Sequence, residues 1–236
     1  MRKVLNDLFD YGYKIYQQDD EFKFSIDSVL LAEFIKIPKF DCKILDMCTG
    51  NAPIPLILCT KTKSKIIGVE IQENIFECAV DSVNYNKLDE QILLINDDVK
   101  NITNYYNVGS FDIVSCNPPF FKVGSESLVN LSDSKAKARH EITIDLIQVI
   151  KTAKYLLKNK GEFYLVHRPE RLQEILLGLS NNNFAVKKIQ FAYSSLDKKA
   201  TIVLLRAVNN GKNGMHVEKP IDIHKHSSYK GIFEEE

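Results

Sequence analysis

Between residues 43 and 208, short apolar runs alternate with helical patterns at near-regular intervals. No other feature of the chain limits its fold so strongly. KILDM (43–47), IIGVE (66–70), ILLIN (92–96), FDIVSC (111–116) and EFYLVH (162–167) have the length and β-branched content of buried strands. Between them lie PIPLILCTKT (53–62), a helix opened by proline, and QENIFECAVDSVNYNKL (72–88), with apolar residues at helical spacing through Ile75, Ala79 and Val83. TIDLIQVIKTAKYLLKN (143–159) is the clearest helix, capped by Thr143 and stopped near Gly161. SIDSVLLAEFIK (25–36), with an N-cap at Ser25 or Asp27, and PERLQEILLGL (169–179) add two more. VKKIQFAY (186–193) and TIVLLRAV (201–208) are joined by a short connection and read as an antiparallel hairpin. The pattern predicts an α/β, Rossmann-like fold: a seven-stranded, mostly parallel sheet with helices on both faces and a terminal antiparallel hairpin. Ligands of such sheets bind outside the carboxyl ends of the strands, so the segments after each run are where chemistry is expected.

The turn after the first run, DMCTGNAPIPL (46–56), combines Asp46, a glycine and a helix start. Backbone amides there can approach a ligand closely, and the helix start adds positive potential. A dinucleotide fingerprint has three glycines; here Cys48 and Ala52 take two of the places and only Gly50 remains. As plain structure, this is a strand–helix turn capped by Thr49 or Asn51. Glu70 ends the second run at about the spacing that suits two ribose hydroxyls. Otherwise it is a solvated strand end, and its removal should leave the fold intact. NDDV (96–99) offers a carboxylate to an adenine amino group, or an Asx turn. In SCNPPFFK (115–122) the proline pair cannot continue a sheet ladder, but it fixes the backbone, so that Asn117 and Phe120 project in set directions. Each turn is explicable by itself as structure; four such turns at consecutive strand ends point to a site.

Composition narrows the class. With 236 residues, 44% hydrophobic and 26% charged, the chain suits one globular domain. Its 31 basic and 31 acidic residues argue against a globally basic nucleic-acid binder and leave only local patches. Cysteines 42, 48, 59, 78 and 116 form no CxxC pair, which reads as reduced cytosolic thiols and no zinc site. No stretch approaches a membrane span, and the N-terminus lacks the apolar run of a signal peptide. The expectation is a cytoplasmic protein, a monomer without metal.

FSIDSVLLAEF (24–34), DMCTGNAPIPL, GVEIQE (68–73), VNYNKL (83–88), DDVKN (97–101), CNPPFFK (116–122), ARHE (138–141) and LVHRPERL (165–172) together resemble the bacterial tRNA(Val) adenine-N6 methyltransferase family. These are class I S-adenosylmethionine (SAM) dependent enzymes that modify the adenosine 3′ of the anticodon. The resemblance runs from about residue 5 to 230. NPPF alone would fit several methyltransferase families; FSIDSVLLA with ARHE and HRPERL is more specific. It implies that Asp46 and the turn through Cys48, Thr49, Gly50 and Asn51 hold the methionine moiety of SAM. Glu70 would bind the ribose, with Ile71 beside it, and Asp98, followed by Val99, would accept from the adenine amine, ahead of Asp97. Asn117, Pro118, Pro119 and Phe120 would be the catalytic motif, with Asn117 also bordering the cofactor. Phe121, Lys122, Lys135, Lys137, Arg139 and His140 would serve the tRNA from the polar segment after that motif, and Lys187, Lys188, Lys198 and Lys199 form a second basic group. His140 and His167 read as structural. Phe9, Tyr11, Tyr13 and Tyr16 belong to an N-terminal arm that either covers SAM or stacks on RNA. The implied division is residues 1–40 as arm and capping helix, 41–208 as the methyltransferase domain and 209–236 as a polar tail. Competing readings are a protein glutamine-N5 methyltransferase, a DNA adenine methyltransferase and a non-enzymatic RNA-binding module. The first two lack room for the extra recognition domain such enzymes carry.

Overall fold

The structure is a computed structural model that describes residues 2–18, 25–119 and 145–226. Two strands open the chain, β1 (Lys3–Asp7) and β2 (Lys14–Gln18), paired antiparallel around a short 3₁₀ helix and Gly12 at φ +76°. The sequence reading gave no strand here, because the hairpin's aromatic and polar residues do not alternate cleanly. Helix α1 (Ile26–Phe34) follows, with Ser25 at its N-cap. The expected alternation then runs β3 (Ile44–Met47), α2 (Pro53–Cys59), β4 (Ile66–Glu70), α3 (Glu73–Tyr85), β5 (Ile92–Asn96) and β6 (Phe111–Cys116). Helix α4 (Leu146–Leu156) begins at Asp145, whose side chain accepts from the Ile147 N–H. Thr143, the expected cap, lies outside the described residues. The helix also ends earlier than expected: β7 (Leu157–His167) starts directly at Leu157, extended already at φ −77°, ψ 134°. Pairing with Phe111 of β6 wins over helix propensity in LKNK. After α5 (Leu172–Asn181), β8 (Phe184–Tyr193) and β9 (Ala200–Asn209) form the antiparallel hairpin.

The main sheet runs β8-β9-β7-β6-β3-β4-β5, with β9 inserted antiparallel between β7 and β8 and the other neighbours from β7 to β5 parallel. Two short strands in the polar tail, β10 (His216–Val217) and β11 (Ile221–Asp222), pair parallel with the outer edge of β8. They cover an edge that would otherwise present unpaired backbone groups. Strand alternation sorts the core into two clusters. Ile44, Ile66, Ile113 and Tyr164 pack with α1 and α2, while Leu45, Met47, Ile67, Val69 and Val114 pack with α4 and α5. Both faces are thus covered, as a parallel sheet requires. The order reverses between β3 and β6, so the crevice beyond their carboxyl ends is the topological switch point.

Candidate functional site

Around that crevice stand the turn after β3, the end of β4, the start of the segment after β5, and Asn117-Pro118-Pro119 after β6. In the turn after β3, three alternate residues are left-handed: Cys48 at φ +57°, Gly50 at +59° and Ala52 at +70°. These are the positions a three-glycine turn would occupy, so the backbone keeps a glycine-type conformation although two side chains are present. A Cβ placed on Gly50 would meet no atom within 4 Å, so open space fronts the turn there. Beneath it the packing is closed, since a Cβ on Gly68 would fall 2.8 Å from Leu94.

The carboxylates do unequal work. Asp46 is wholly buried, accepting 2.6 Å hydrogen bonds from the Thr49 and Ser115 hydroxyls. Burial, only partly offset by those two donors, pushes its pKa up to about 7. It ties β3, the turn and β6 together from beneath. The sequence reading missed Ser115, although a lone hydroxyl within the apolar run FDIVSC was the available signal. Glu70 is 5% exposed. It accepts from the Gly50 N–H at 2.9 Å and the Gln72 N–H at 3.0 Å, and burial outweighs these bonds to raise its pKa. The alternative of a solvated strand end does not hold, because this side chain is buried and tethers the turn. Gln72 Nε2 also donates to Oε1, at 3.5 Å, so Oε2 is the oxygen with a second lone pair for a further donor. Ile71, next along, leaves 45% of its surface exposed.

After β5, Asp97 and Asp98 differ in how far they are engaged. Asp97 accepts from the Asn101 amide, the Tyr105 hydroxyl and the Asp98 N–H, which lower its pKa. Asp98 caps the following 3₁₀ helix by accepting from the Lys100 N–H, with the Lys100 ammonium 3.8 Å away and Val99 buried behind it. Asn51 donates to the Tyr16 carbonyl at 2.8 Å and so fastens the N-terminal hairpin to the turn. The hairpin also lies along α3, through Tyr16 N–H to Ser82, Lys14 N–H to Asn86 and Lys3 to Asp81.

Asn117 emerges half-buried from β6 with Pro118 buried behind it. Its Nδ2 donates to the Ser28 hydroxyl on α1 at 2.9 Å. Beside it, at the end of β7, His167 is buried and accepts from the Arg168 N–H. Burial and the neighbouring Arg171 and Arg168 hold its pKa down to about 4, against the smaller pull of Glu174, so the ring is neutral near pH 7. Arg168 reaches the Thr201 carbonyl and stands 3.8 Å from buried Asp27. Of the second basic group, Lys188 pairs with Glu218 and Lys187 donates to the Lys212 carbonyl, so both are engaged by the tail. Lys198 and Lys199 are exposed in the β8–β9 turn, at the same sheet edge as Asn117. Phe120, Phe121, Lys122, Lys135, Lys137, Arg139 and His140 lie outside the described residues.

The site fits an elongated nucleoside cofactor. It offers an open backbone turn with buried supports, a carboxylate at the next strand end with spare acceptor capacity, an exposed aliphatic neighbour and a further carboxylate after β5. Among the described residues no three His, Cys, Asp or Glu side chains are grouped to hold a metal ion, and no helix is long and apolar enough to cross a membrane. The model of the family described as Methyltransferase small domain matches residues 22–196. A tRNA1(Val) (adenine(37)-N6)-methyltransferase of Cytophaga hutchinsonii is 24% identical over 200 residues, spanning 84% of this chain and 82% of that protein. Its counterpart in Porphyromonas gingivalis is 30% identical over 136 residues, spanning 56% of this chain and 52% of that protein. Among solved structures, a predicted O-methyltransferase from Agrobacterium tumefaciens has the same fold, with a TM-score of 0.64 at 18% identity over 84% of this chain and 88% of that one.

Proposed function

Since the chain belongs to the methyltransferase small domain family, we propose that it methylates the exocyclic N6 of the adenosine 3′ of the anticodon in tRNA(Val), with S-adenosylmethionine as cofactor. The substrate named for the Cytophaga and Porphyromonas relatives supports this reading. The observation that carries it is Asn117, set at the switch point next to the cofactor turn with its amide nitrogen already engaged.

Bound cofactor supplies a methyl group on a sulfonium, an electrophile that needs no metal. The rest falls to the chain. The exocyclic amine of adenine is a poor nucleophile because its lone pair is delocalised into the ring. Asn117 Oδ1 and the Pro118 carbonyl each accept one of its N–H groups, which fixes the nitrogen and turns its lone pair toward the methyl. Such positioning lowers a barrier by up to about 7–11 kcal/mol when complete. Phe120, outside the described residues, would stack on the base. Glu70 would take the ribose hydroxyls and Asp98 the adenine amine of the cofactor, while the turn from Cys48 to Asn51, supported by Asp46, would hold the methionine end. The Asn51–Tyr16 link ties the N-terminal hairpin to that turn, which supports the arm within residues 1–40 as a cover for the cofactor. An anticodon-loop base is splayed out at low cost, and Lys198 and Lys199 face the RNA backbone at the same edge.

The test is methyl transfer from labelled SAM to total tRNA, followed by nucleoside analysis. N6-methyladenosine in a valine tRNA is the expected product, lost in Asn117→Ala while SAM still binds. Label in protein glutamine, or in no acceptor, would overturn the proposal.

A further inference from the structure

Ser28 sits in the first turn of α1, within the run IDSVLLAEF. Its neighbours from Asp27 to Ala32 are all buried, and Ser28 itself is 6% exposed. A buried hydroxyl must find a partner. The partner of this one is Asn117, from a strand end 89 residues away in sequence. Helix α1 cannot slide to relax the contact. Its apolar face is locked into the core cluster with Ile44 and Ile113, and Asp27, one residue before Ser28, faces Arg168 at the end of β7.

The chemistry asked of Asn117 makes this contact matter. A side-chain amide has one oxygen and one nitrogen at nearly the same place, exchanged by rotation about a single bond. Only the oxygen can accept an N–H from the adenine amine; the nitrogen would oppose it donor to donor. A hydroxyl can accept from Nδ2 or donate to Oδ1, so the contact fixes the plane of the amide; with Nδ2 donating to the Ser28 hydroxyl at 2.9 Å, Oδ1 is the end left for the crevice. The pyrrolidine of Pro118 restricts the backbone of Asn117 but says nothing about the amide rotation. The contact from α1 supplies what the motif's own rigidity does not.

We infer that Ser28 is a positioning residue for methyl transfer: its hydroxyl holds the Asn117 amide with Oδ1 facing the acceptor amine. The inference rests on the catalytic reading of Asn117. Ser28 itself touches neither substrate nor cofactor in this role.

The experiment compares Ser28→Ala, Ser28→Thr and Asn117→Ala in the full chain. It measures single-turnover methyl transfer to tRNA, the KM for tRNA, and SAM affinity by calorimetry. Ser28→Ala should lose roughly tenfold in rate, which corresponds to about 1.4 kcal/mol, with SAM affinity and KM unchanged. Ser28→Thr keeps the hydroxyl and should stay within about threefold of wild type, the scale of a loss near 0.6 kcal/mol. Loss of rate in Asn117→Ala with an intact wild-type rate in Ser28→Ala would overturn the positioning role and leave the catalytic reading standing. A wild-type rate in Asn117→Ala would overturn both. Equal losses in the Ala and Thr variants would show that Ser28 acts through packing alone, which also overturns the inference.

Discussion

Replacing Glu70 separates the proposed role as a cofactor ligand from the observed role as a structural support. Its oxygens accept the Gly50 and Gln72 N–H groups. A hydrogen bond to a charged acceptor contributes about 1.5–3 kcal/mol. Burial of the carboxylate, the first cause of its raised pKa, offsets part of this. Glu70→Ala should therefore cost a net ~2–4 kcal/mol, since one of the freed N–H groups lies on the open turn where water reaches it. For a domain of this size that is a fall of about 4–16 °C in the thermal midpoint. If Glu70 holds two ribose hydroxyls as proposed, SAM should bind the variant about 10²-fold or more weakly. Glu70→Gln is not a mild substitute: one oxygen becomes an NH2 group, and either Gly50 or Gln72 then faces donor against donor. Scanning calorimetry without ligand gives the first number, and isothermal titration below the shifted midpoint gives the second. A wild-type midpoint in Glu70→Ala would refute the role as support. A wild-type SAM affinity would refute the role as ligand.

Cys48→Gly and Ala52→Gly each relieve a left-handed non-glycine residue worth about 1–2 kcal/mol but add unfolded-state entropy of about 0.4–1 kcal/mol. Urea unfolding should show each variant equal to wild type or up to ~1 kcal/mol more stable, and a clear destabilisation would mean that the side chains pack usefully. Asp46 has a folded pKa of about 7, above its unfolded value of about 3.9, so the folded state holds the extra proton. Stability should consequently fall as pH rises from about 4 to 7, by no more than ~4 kcal/mol from this group. Asp46→Asn should remove that component of the slope in urea unfolding across the same range; identical slopes would show that the buried carboxyl does not hold its proton. Lys198→Ala with Lys199→Ala should weaken tRNA binding, reduce the salt slope by roughly 0.7–0.9 for each phosphate no longer neutralised and leave SAM affinity alone, whereas an unchanged salt dependence would place the RNA elsewhere.

The local chain determined the repeating unit. Runs such as IIGVE and ILLIN are too short and too apolar for anything but strands, and their observed bounds match the runs residue for residue, although ILLIN lies at the sheet edge with Leu93 exposed. Because ligands of a parallel sheet collect at strand ends, the order of Asp46, Glu70, Asp98 and Asn117 along the chain was enough to propose a site. Elements whose formation depends on partners were not legible in this way. LKNK continues a helical pattern until β6 offers it a ladder, and His216–Val217 is too short to be read as a strand until β8 provides an edge. The same limit applies inside the site. Sequence names the acids but not their surroundings, so it could not show that Glu70 holds the turn or that Asp46 is sealed beneath it. Nor could spacing reveal the contact between Ser28 and Asn117, which lie 89 residues apart. Strand identity follows from local composition, whereas burial and hydrogen-bond partners are set by which strand ends the sheet order brings together, and only the tertiary structure decides that.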